Sequence, residues 1–239
     1  MSAYSKQRIK TAITPAISSI YKAEKEFDTQ SLYSNTLDCF SATLDSLVQD
    51  ISISEWIEQE SLRQRQKTKQ NAIGSMHEDI IGSFDGIHAL EVGKIFDIHF
   101  PSQRVIAEVK NKHNTTKGNH KVQIYKDLDY ALSTLTDYTG YYVEILPKNG
   151  KRYNNPFTPS NNLTQRRLPE RADIRIIDGK SFYSLLTGEP DAMDKIYKML
   201  PEIVAEILHE NFGYEIDKAK VLNDQLFAGV YNKIYPNSV

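Results

Sequence analysis

The chain has 239 residues, 40% of them apolar, 25% charged and 10% aromatic, which is long enough to bury one sizeable core. A formal charge of −2 excludes a uniformly basic nucleic-acid coat, and no apolar run approaches the roughly 18 residues of a membrane span. The first residues (Ser2, Ala3, Tyr4, Ser5, Lys6) lack the apolar stretch of a signal peptide, and the single cysteine, Cys39, builds no disulfide framework, so the expectation is a cytoplasmic protein without membrane association.

The charge is unevenly spread. Residues 1–60 hold 5 Lys/Arg against 9 Asp/Glu, residues 61–180 hold 19 against 13, and residues 181–239 hold 5 against 9. A polyanion would be steered toward the middle of this chain, although a solvated surface accounts for the same counts.

Residues 5–26 carry Ile9, Ile13, Ile17 and Ile20 at helical spacing, with Pro15 kinking or dividing the helix. Leu37, Phe40, Leu44 and Leu47 predict a second short helix, in which Cys39 reads as a small core residue. Ser52 to Glu55 forms a capping-box pattern, followed by a polar helix through Trp56, Ile57 and Leu62. Trp56 reads as a packing or interface anchor. Its basic residues Arg63, Arg65, Lys67 and Lys69 span much of the circumference and make no narrow stripe. Ile73, Met76, Ile80 and Ile81 predict another helix over 72–84.

Glycines at 82, 86 and 93 then announce a change of element. Residues 95–100 read as a strand, Pro101 to Gln103 as a turn and residues 104–110 as a returning strand, together an antiparallel hairpin. Val105, Ala107 and Val109 share one side of it; Ile106, Glu108 and Lys110 share the other. Residues 119–137 have helical spacing, Tyr141 to Leu146 is a strand, and residues 148–170 read as one long polar loop. A loop of that length in a compact domain is uncommon without a function or disorder. Ala172 to Ile177 is a further strand, and helical segments follow over 181–187 and 191–210, with Pro201 a possible break.

The chemistry concentrates in Asp97 and in Glu108-Val109-Lys110. In the hairpin, Asp97 lies on the strand beside Glu108 and Lys110, so two carboxylates face one small cavity. Mg²⁺ prefers oxygen donors in octahedral geometry and keeps several waters, which suits Asp97, Glu108 and the backbone carbonyl of Val109. Lys110 would hold an attacking water or stabilise charge growing on a phosphoryl oxygen. The same residue types also decorate ordinary sheet faces. The apolar run Ile106-Ala107 before Glu108 suggests a partly buried charge, which must be paired or metal-bound to be tolerated. The histidines at 77, 99, 113 and 120 lack a thiolate or a short ligand motif and make no convincing zinc site.

Three segments carry a resemblance: His77-Glu78-Asp79-Ile80-Ile81-Gly82, Phe96-Asp97, and Ala107 through Thr115. Asp178-Gly179-Lys180-Ser181 through Gly188 adds a fourth. Together they resemble type II restriction endonucleases of the PD-(D/E)xK nuclease superfamily, over roughly residues 75 to 190. More narrowly the chain is similar to the family that reads interrupted GG/CC sites of the GGNCC sort. The resemblance implies an α/β fold, a restriction-endonuclease-like core with a mixed central sheet flanked by helices, plus an N-terminal helical segment. It implies Mg²⁺-dependent hydrolysis of double-stranded DNA leaving 5′ phosphate and 3′ hydroxyl ends, with Asp97, Glu108 and Lys110 catalytic and Glu78 as the helix carboxylate that completes or orients the metal site. Phe96 stands where the motif has proline, a structural position rather than a ligand.

Residues 1–70 are then a helical segment for dimerisation or embracing DNA, 71–190 the nuclease core, and 191–239 a helical segment packed on it. DNA contacts are expected from Asn111, Lys112, His113, Asn114, Thr115 and Lys117, and around the polar loop from Lys151, Arg152, Arg166, Arg167 and Arg171. Arginine pairs bidentately with guanine and asparagine with adenine, so Asn154, Asn155, Asn161 and Asn162 are further candidates. A palindromic target shares the symmetry of a homodimer. A structure-selective repair nuclease or junction resolvase of the same fold, and a non-catalytic DNA-binding module, are the competing readings.

Overall fold

Two units divide the chain in a computed structural model that describes residues 3–90, 93–161, 164–218 and 224–235. Residues 14–73 form one, and residues 1–13 with 74–239 form the other. Their boundaries fall inside two helices, α1 (Lys6–Lys25) and α4 (Ile53–Gly82).

The unit of residues 14–73 also holds α2 (Thr29–Tyr33) and α3 (Cys39–Gln49). α1 continues through Pro15 without a break. The capping box at the start of α4 is formed: Ser52 N–H donates to Glu55 Oε2 at 2.7 Å and Glu55 N–H to Ser52 Oγ at 3.2 Å. The polar helix predicted through Trp56, Ile57 and Leu62 and the helix predicted over 72–84 are one helix of 30 residues. Its interior glycine, Gly74, costs about 1 kcal/mol relative to alanine, too little to end a helix by itself. Trp56 is buried and its indole N–H donates to Asp45 Oδ2 at 3.2 Å. Cys39 is not a core residue. It is exposed at the first position of α3, a helix that buries Ser46 and turns its apolar side chains outward.

In the other unit a six-stranded mixed sheet runs in the order β1-β2-β3-β4-β8-β5. The strands are β1 (His88–Ala89), β2 (Ile98–Phe100), β3 (Val105–Lys112), β4 (Thr139–Leu146), β5 (Asn154–Pro156) and β8 (Ile174–Asp178). β2 and β3 are the predicted antiparallel hairpin, while β3, β4 and β8 are parallel. Parallel neighbours need a crossover, and α5 (Gly118–Thr134) supplies it between β3 and β4. Ile124, Tyr125, Leu128, Ala131 and Leu132 of α5 cover Ile106, Tyr142 and Ile174 on one sheet face, and Phe157 stacks on Tyr142 at 4.8 Å. Side chains alternate along a strand, so Tyr141 faces the other way, where Phe182 of α6 (Gly179–Thr187) meets it at 5.8 Å. Helices thus cover both faces of the sheet.

The predicted loop over 148–170 is not structureless. β5 is an edge strand on β8, and β6 (Ser160–Asn161) pairs with β7 (Arg166–Arg167) as a small hairpin; Asn162 lies outside the described residues. These strands are two or three residues long and polar, so they carry no period-two apolar signal. α7 (Ala192–Phe212) continues through Pro201, with Ile196, Ile203 and Ile207 buried on either side of it. α8 (Asp224–Ile234) ends at Tyr235, whose hydroxyl donates to the Ile145 carbonyl, and the Lys180 ammonium lies 5.1 Å over the rings of both Tyr231 and Tyr235.

Gly179 is a close approach between helix and sheet near the functional end. A Cβ there would lie 2.6 Å from the Ile145 carbonyl oxygen and 2.8 Å from the Ile145 Cα. The neighbouring Asp178, fully buried, caps α6 by accepting from Ser181 N–H at 3.0 Å and also accepts from Tyr153 N–H at 2.8 Å. Gly179→Ala is therefore expected to lower stability by about 2 kcal/mol or more, read as a shift of the urea midpoint at unchanged slope. An unshifted midpoint would contradict this packing.

Candidate active site

The register of the hairpin builds the site. Ile98 opposes Ala107, so the next pair outward is Asp97 with Glu108, and opposed residues of an antiparallel pair project to the same face. The Asp97 amide donates to the Ala107 carbonyl at 2.9 Å, which holds that position although β2 proper begins one residue later. Beyond it β3 loses its partner strand, and the Asp97 carboxylate takes over: Oδ2 accepts from the Val109 amide at 2.7 Å. Lys110, two residues after Glu108, returns to the same face. Its ammonium lies 2.6 Å from Glu108 Oε1 and 3.7 Å from Asp97 Oδ2.

These three side chains are 16–25% exposed, and their charges interact in a partly dry notch. Burial, then the adjacent Asp97 charge, raises the Glu108 carboxyl above its ordinary value. Burial works against the Lys110 charge, but the hydrogen bond it donates to Glu108 and the fields of Asp97, Glu108 and Glu78 outweigh it, so its pKa is raised and the ammonium stays protonated at neutral pH. Glu78 arrives from the last two turns of α4. Burial first, and then the like charges of Asp97 and Glu108, push its carboxyl up to about 8. Next to it His77 is half-buried, its pKa lowered to about 4 by desolvation, and its Nδ1 lies 3.0 Å from the Tyr183 hydroxyl of α6.

Crowded carboxylates, with Glu78 and Glu108 both raised by burial and by the neighbouring charge of Asp97, are a site short of positive charge, and oxygen donors of this kind suit a hard divalent cation. Among the described residues, no group of three His, Cys, Asp or Glu side chains stands in an arrangement that would hold one ion. Asp97 and Glu108 stand as a pair of carboxylates beside one ammonium, at 3.7 and 2.6 Å, and one or two protein carboxylates is what Mg²⁺ usually takes. Glu78 contributes charge to the same notch.

The catalytic candidates Asp97, Glu108, Lys110 and Glu78 come together; those expected to contact DNA are more scattered. After β3 the chain turns sharply, with the His113 amide donating to the Leu146 carbonyl at 3.1 Å and the Thr115 hydroxyl to the Lys112 carbonyl at 2.7 Å. Asn111 is half-buried, while Lys112, Asn114 and Lys117 are exposed around this turn. Lys151, Arg152, Arg166 and Arg167 are exposed too, although Arg152 donates to Ser181 Oγ at 3.2 Å and Arg167 to the Thr158 carbonyl at 2.9 Å. Arg171 is engaged by both oxygens of Asp173, at 2.8 and 2.5 Å, and by Asp129. Its guanidinium is spent on intramolecular pairs.

Sequence reasoning passed over a second polar cluster on the same sheet face. Glu144 pairs in register with Lys110, is only 4% exposed, and accepts from Lys121 Nζ at 2.7 Å and from the Tyr153 hydroxyl at 2.5 Å. A lone carboxylate within the apolar run Tyr141 to Leu146 was the available signal, since a buried charge requires partners.

The sequence model of the Eco47II restriction endonuclease family matches residues 2–209. The chain is 39% identical over 211 residues to the type II restriction enzyme Eco47II of Escherichia coli, covering 87% of this chain and 86% of that protein. The chain belongs to the Eco47II restriction endonuclease family. It is also 29% identical over 183 residues to the type II restriction enzyme Sau96I of Staphylococcus aureus, covering 75% and 70% respectively. Membership in this family makes the chain a type II restriction endonuclease-like, DNA-binding nuclease of the PD-(D/E)xK superfamily. Among the described residues, no helix is long and apolar enough to cross a membrane.

The elevated carboxyl of Glu78 has a sign-definite consequence. A folded pKa of about 8 against an ordinary 4.5 means the folded state holds the proton more tightly. That contribution is fully present below pH 4.5 and is lost as pH rises toward 8. Metal-free protein should thus lose stability across this window, by about 2 kcal/mol from Glu78 once solvent access is allowed for. Glu78→Gln should flatten the dependence, measured as melting temperature against pH in a chelator. A wild-type curve that is flat, or that rises across the window by as much in both proteins, would refute this assignment.

Proposed function

We propose that this family member is a Mg²⁺-dependent type II restriction endonuclease. It hydrolyses both strands of DNA at a short, G/C-rich palindromic site of the GGNCC kind, leaving 5′ phosphate and 3′ hydroxyl ends, and it acts as a homodimer. The observation that carries the reading is Asp97, Glu108 and Lys110 on one face of the β2–β3 hairpin, with both carboxylates within 3.7 Å of the same ammonium, in a chain of this family.

Asp97 and Glu108 would hold the metal, with the Val109 carbonyl as a further oxygen donor and Glu78 as an auxiliary carboxyl that orients the site. The ion, when bound, supplies Lewis-acid polarisation of the phosphate and lowers the pKa of a bound water. Lys110 does the rest from its own chemistry. Because its pKa is raised, it is a donor and counter-charge rather than a base, suited to orienting the attacking water and to stabilising charge on the phosphoryl oxygens. Water attacks phosphorus and gives up a proton, the bond to the 3′ oxygen breaks, and that oxygen takes up a proton to leave as the 3′ hydroxyl. Glu108 and Asp97 also keep Lys110 in place through their ion pairs.

Recognition would fall to the polar turn after β3 (Asn111, Lys112, His113, Asn114, Thr115 and Lys117) and to Lys151, Arg152, Arg166 and Arg167 around β5 to β7. Guanine O6 and N7 accept a bidentate pair from arginine, which suits exposed guanidiniums to a G/C-rich site, and the lysines suit phosphates. Arg171 would first have to leave Asp129 and Asp173, so it is the weakest of these candidates.

Incubating purified protein with unmodified duplex DNA and Mg²⁺, then sequencing the ends, tests the proposal directly. A single recurrent short sequence at the ends, lost with chelator, is expected; cleavage governed by branched structure instead, or none, would overturn it. Asp97→Ala, Glu108→Ala and Lys110→Ala should each lower cleavage at least 100-fold while leaving the circular dichroism spectrum unchanged. Arg167→Ala should weaken recognition at one base pair or reduce the salt dependence of binding, depending on whether it reads a base or a phosphate.

A further inference from the structure

A second ion pair stands one strand over from the pair Lys110–Glu108. On the parallel neighbours β3 and β4, Glu108 is in register with Tyr142 and Lys110 with Glu144. Residues in register on adjacent strands project to the same face, with the strands about 4.8 Å apart. Those two partners are the groups that hold Lys121 of α5: its ammonium lies 2.7 Å from Glu144 Oε1 and 5.2 Å over the Tyr142 ring. The other Glu144 oxygen accepts from the Tyr153 hydroxyl at 2.5 Å. Charges therefore alternate across this face, from Glu108 to Lys110 to Glu144 to Lys121.

Glu144 is a rival for the Lys110 ammonium. A lysine carries its charge on a flexible four-carbon stem, so a carboxylate on the next strand is within its reach. The ammonium nevertheless lies with Glu108 Oε1 at 2.6 Å and Asp97 Oδ2 at 3.7 Å. Both Glu144 oxygens are already engaged, and its charge is matched by Lys121. Left unpaired, a carboxylate only 4% exposed would draw the nearest cation, because a buried charge requires a partner. We infer that Lys121 is the positioning residue for Lys110: by neutralising Glu144 it leaves the Lys110 ammonium to Asp97 and Glu108. The importance of that placement rests on the nuclease reading, in which Lys110 meets the attacking water and the phosphoryl oxygens. Lys121 acts through Lys110 rather than on DNA, since its own side chain is 26% exposed and its ammonium is committed to Glu144.

The crystal structure of the full-length Lys121→Met variant, which removes the ammonium and keeps the stem, reads the placement directly. Lys110 Nζ should have moved from Glu108 to Glu144; a Lys110 still on Glu108 overturns the inference. Kinetics read the consequence: the single-turnover rate with Mg²⁺ on a duplex carrying a GGNCC site, beside DNA affinity measured with Ca²⁺ in place of Mg²⁺. Lys121→Met should slow cleavage by about 10-fold or more with affinity changed less than about 3-fold, and Lys121→Arg should recover most of the rate. In Lys121→Met/Glu144→Gln the rival charge is gone as well, so the rate should return to within about 3-fold of wild type, a non-additive result. A merely structural pair would lower the fraction folded and leave the rate per active site unchanged. That outcome, a loss confined to affinity, or a double variant as slow as the single one overturns the inference. If Lys121→Met does not fold, Tyr153→Phe frees Glu144 Oε2 by the loss of one hydroxyl and should slow the same step about 3-fold; an unchanged rate overturns it. A wild type that cuts no duplex, with Lys110 displaced in the variant crystal, would keep the positioning and sink the restriction-enzyme reading instead.

Discussion

Like charges forced together in a partly dry notch govern this molecule. Asp97 and Glu108 are brought face to face by one strand register, Glu78 adds a third carboxyl from α4 whose ionisation is pushed up to about pH 8, and Lys110 is the cation that makes the arrangement tolerable. A sheet designed only for stability would not place three carboxylates there, because each raises the cost of ionising the next. The strain is relieved by a cation, and the chain provides one internally at 2.6 Å while leaving oxygen lone pairs for another. The same charge deficit that makes the site costly makes it useful to a nuclease, which must bring a polyanion up to its own carboxylates.

The rest of the fold serves to hold that register. β3 is the pivot: on one edge it pairs with β2 to present Asp97, and on the other it runs parallel to β4, which extends the sheet through β8 to β5. α5 covers the face that carries Ile106 and Tyr142 below the charged end, so a dry core gives way to the polar site within one or two residues of the same strand. Glu144, Lys121 and Tyr153 continue the polar zone across β4 with all their partners satisfied. Gly179 lets α6 close onto β4 from the opposite face at a distance no side chain would permit.

The hairpin and its three charged residues were legible because strand alternation is a strict period of two, so Glu108 and Lys110 had to share a face once β3 was recognised. The capping box at Ser52 was legible for a similar reason, being a local pattern with a local consequence. The polar segment after Pro147 was misread as loop because β5 to β7 are too short and too polar to show periodicity; their pairing depends on the edge offered by β8. Cys39 reads as a core residue and is exposed, because amphipathicity tells that a helix has two faces and not which face the rest of the chain covers.

By itself, the amino-acid sequence determined which residues could do chemistry and how far apart along a strand they stand, since φ/ψ periodicity and side-chain ionisation are properties of the local chain. It also carried the family, through the motif around Asp97, Glu108 and Lys110. Only the tertiary structure decided that Glu78, nineteen residues earlier on a helix, shares the field of Asp97; that Arg171 is occupied by Asp129 and Asp173; and that a lone Glu144 finds Lys121 and Tyr153. Those outcomes depend on which distant groups meet once the core is buried. A charge's energy is set by its neighbours and its distance from water, quantities that do not exist until the chain is folded.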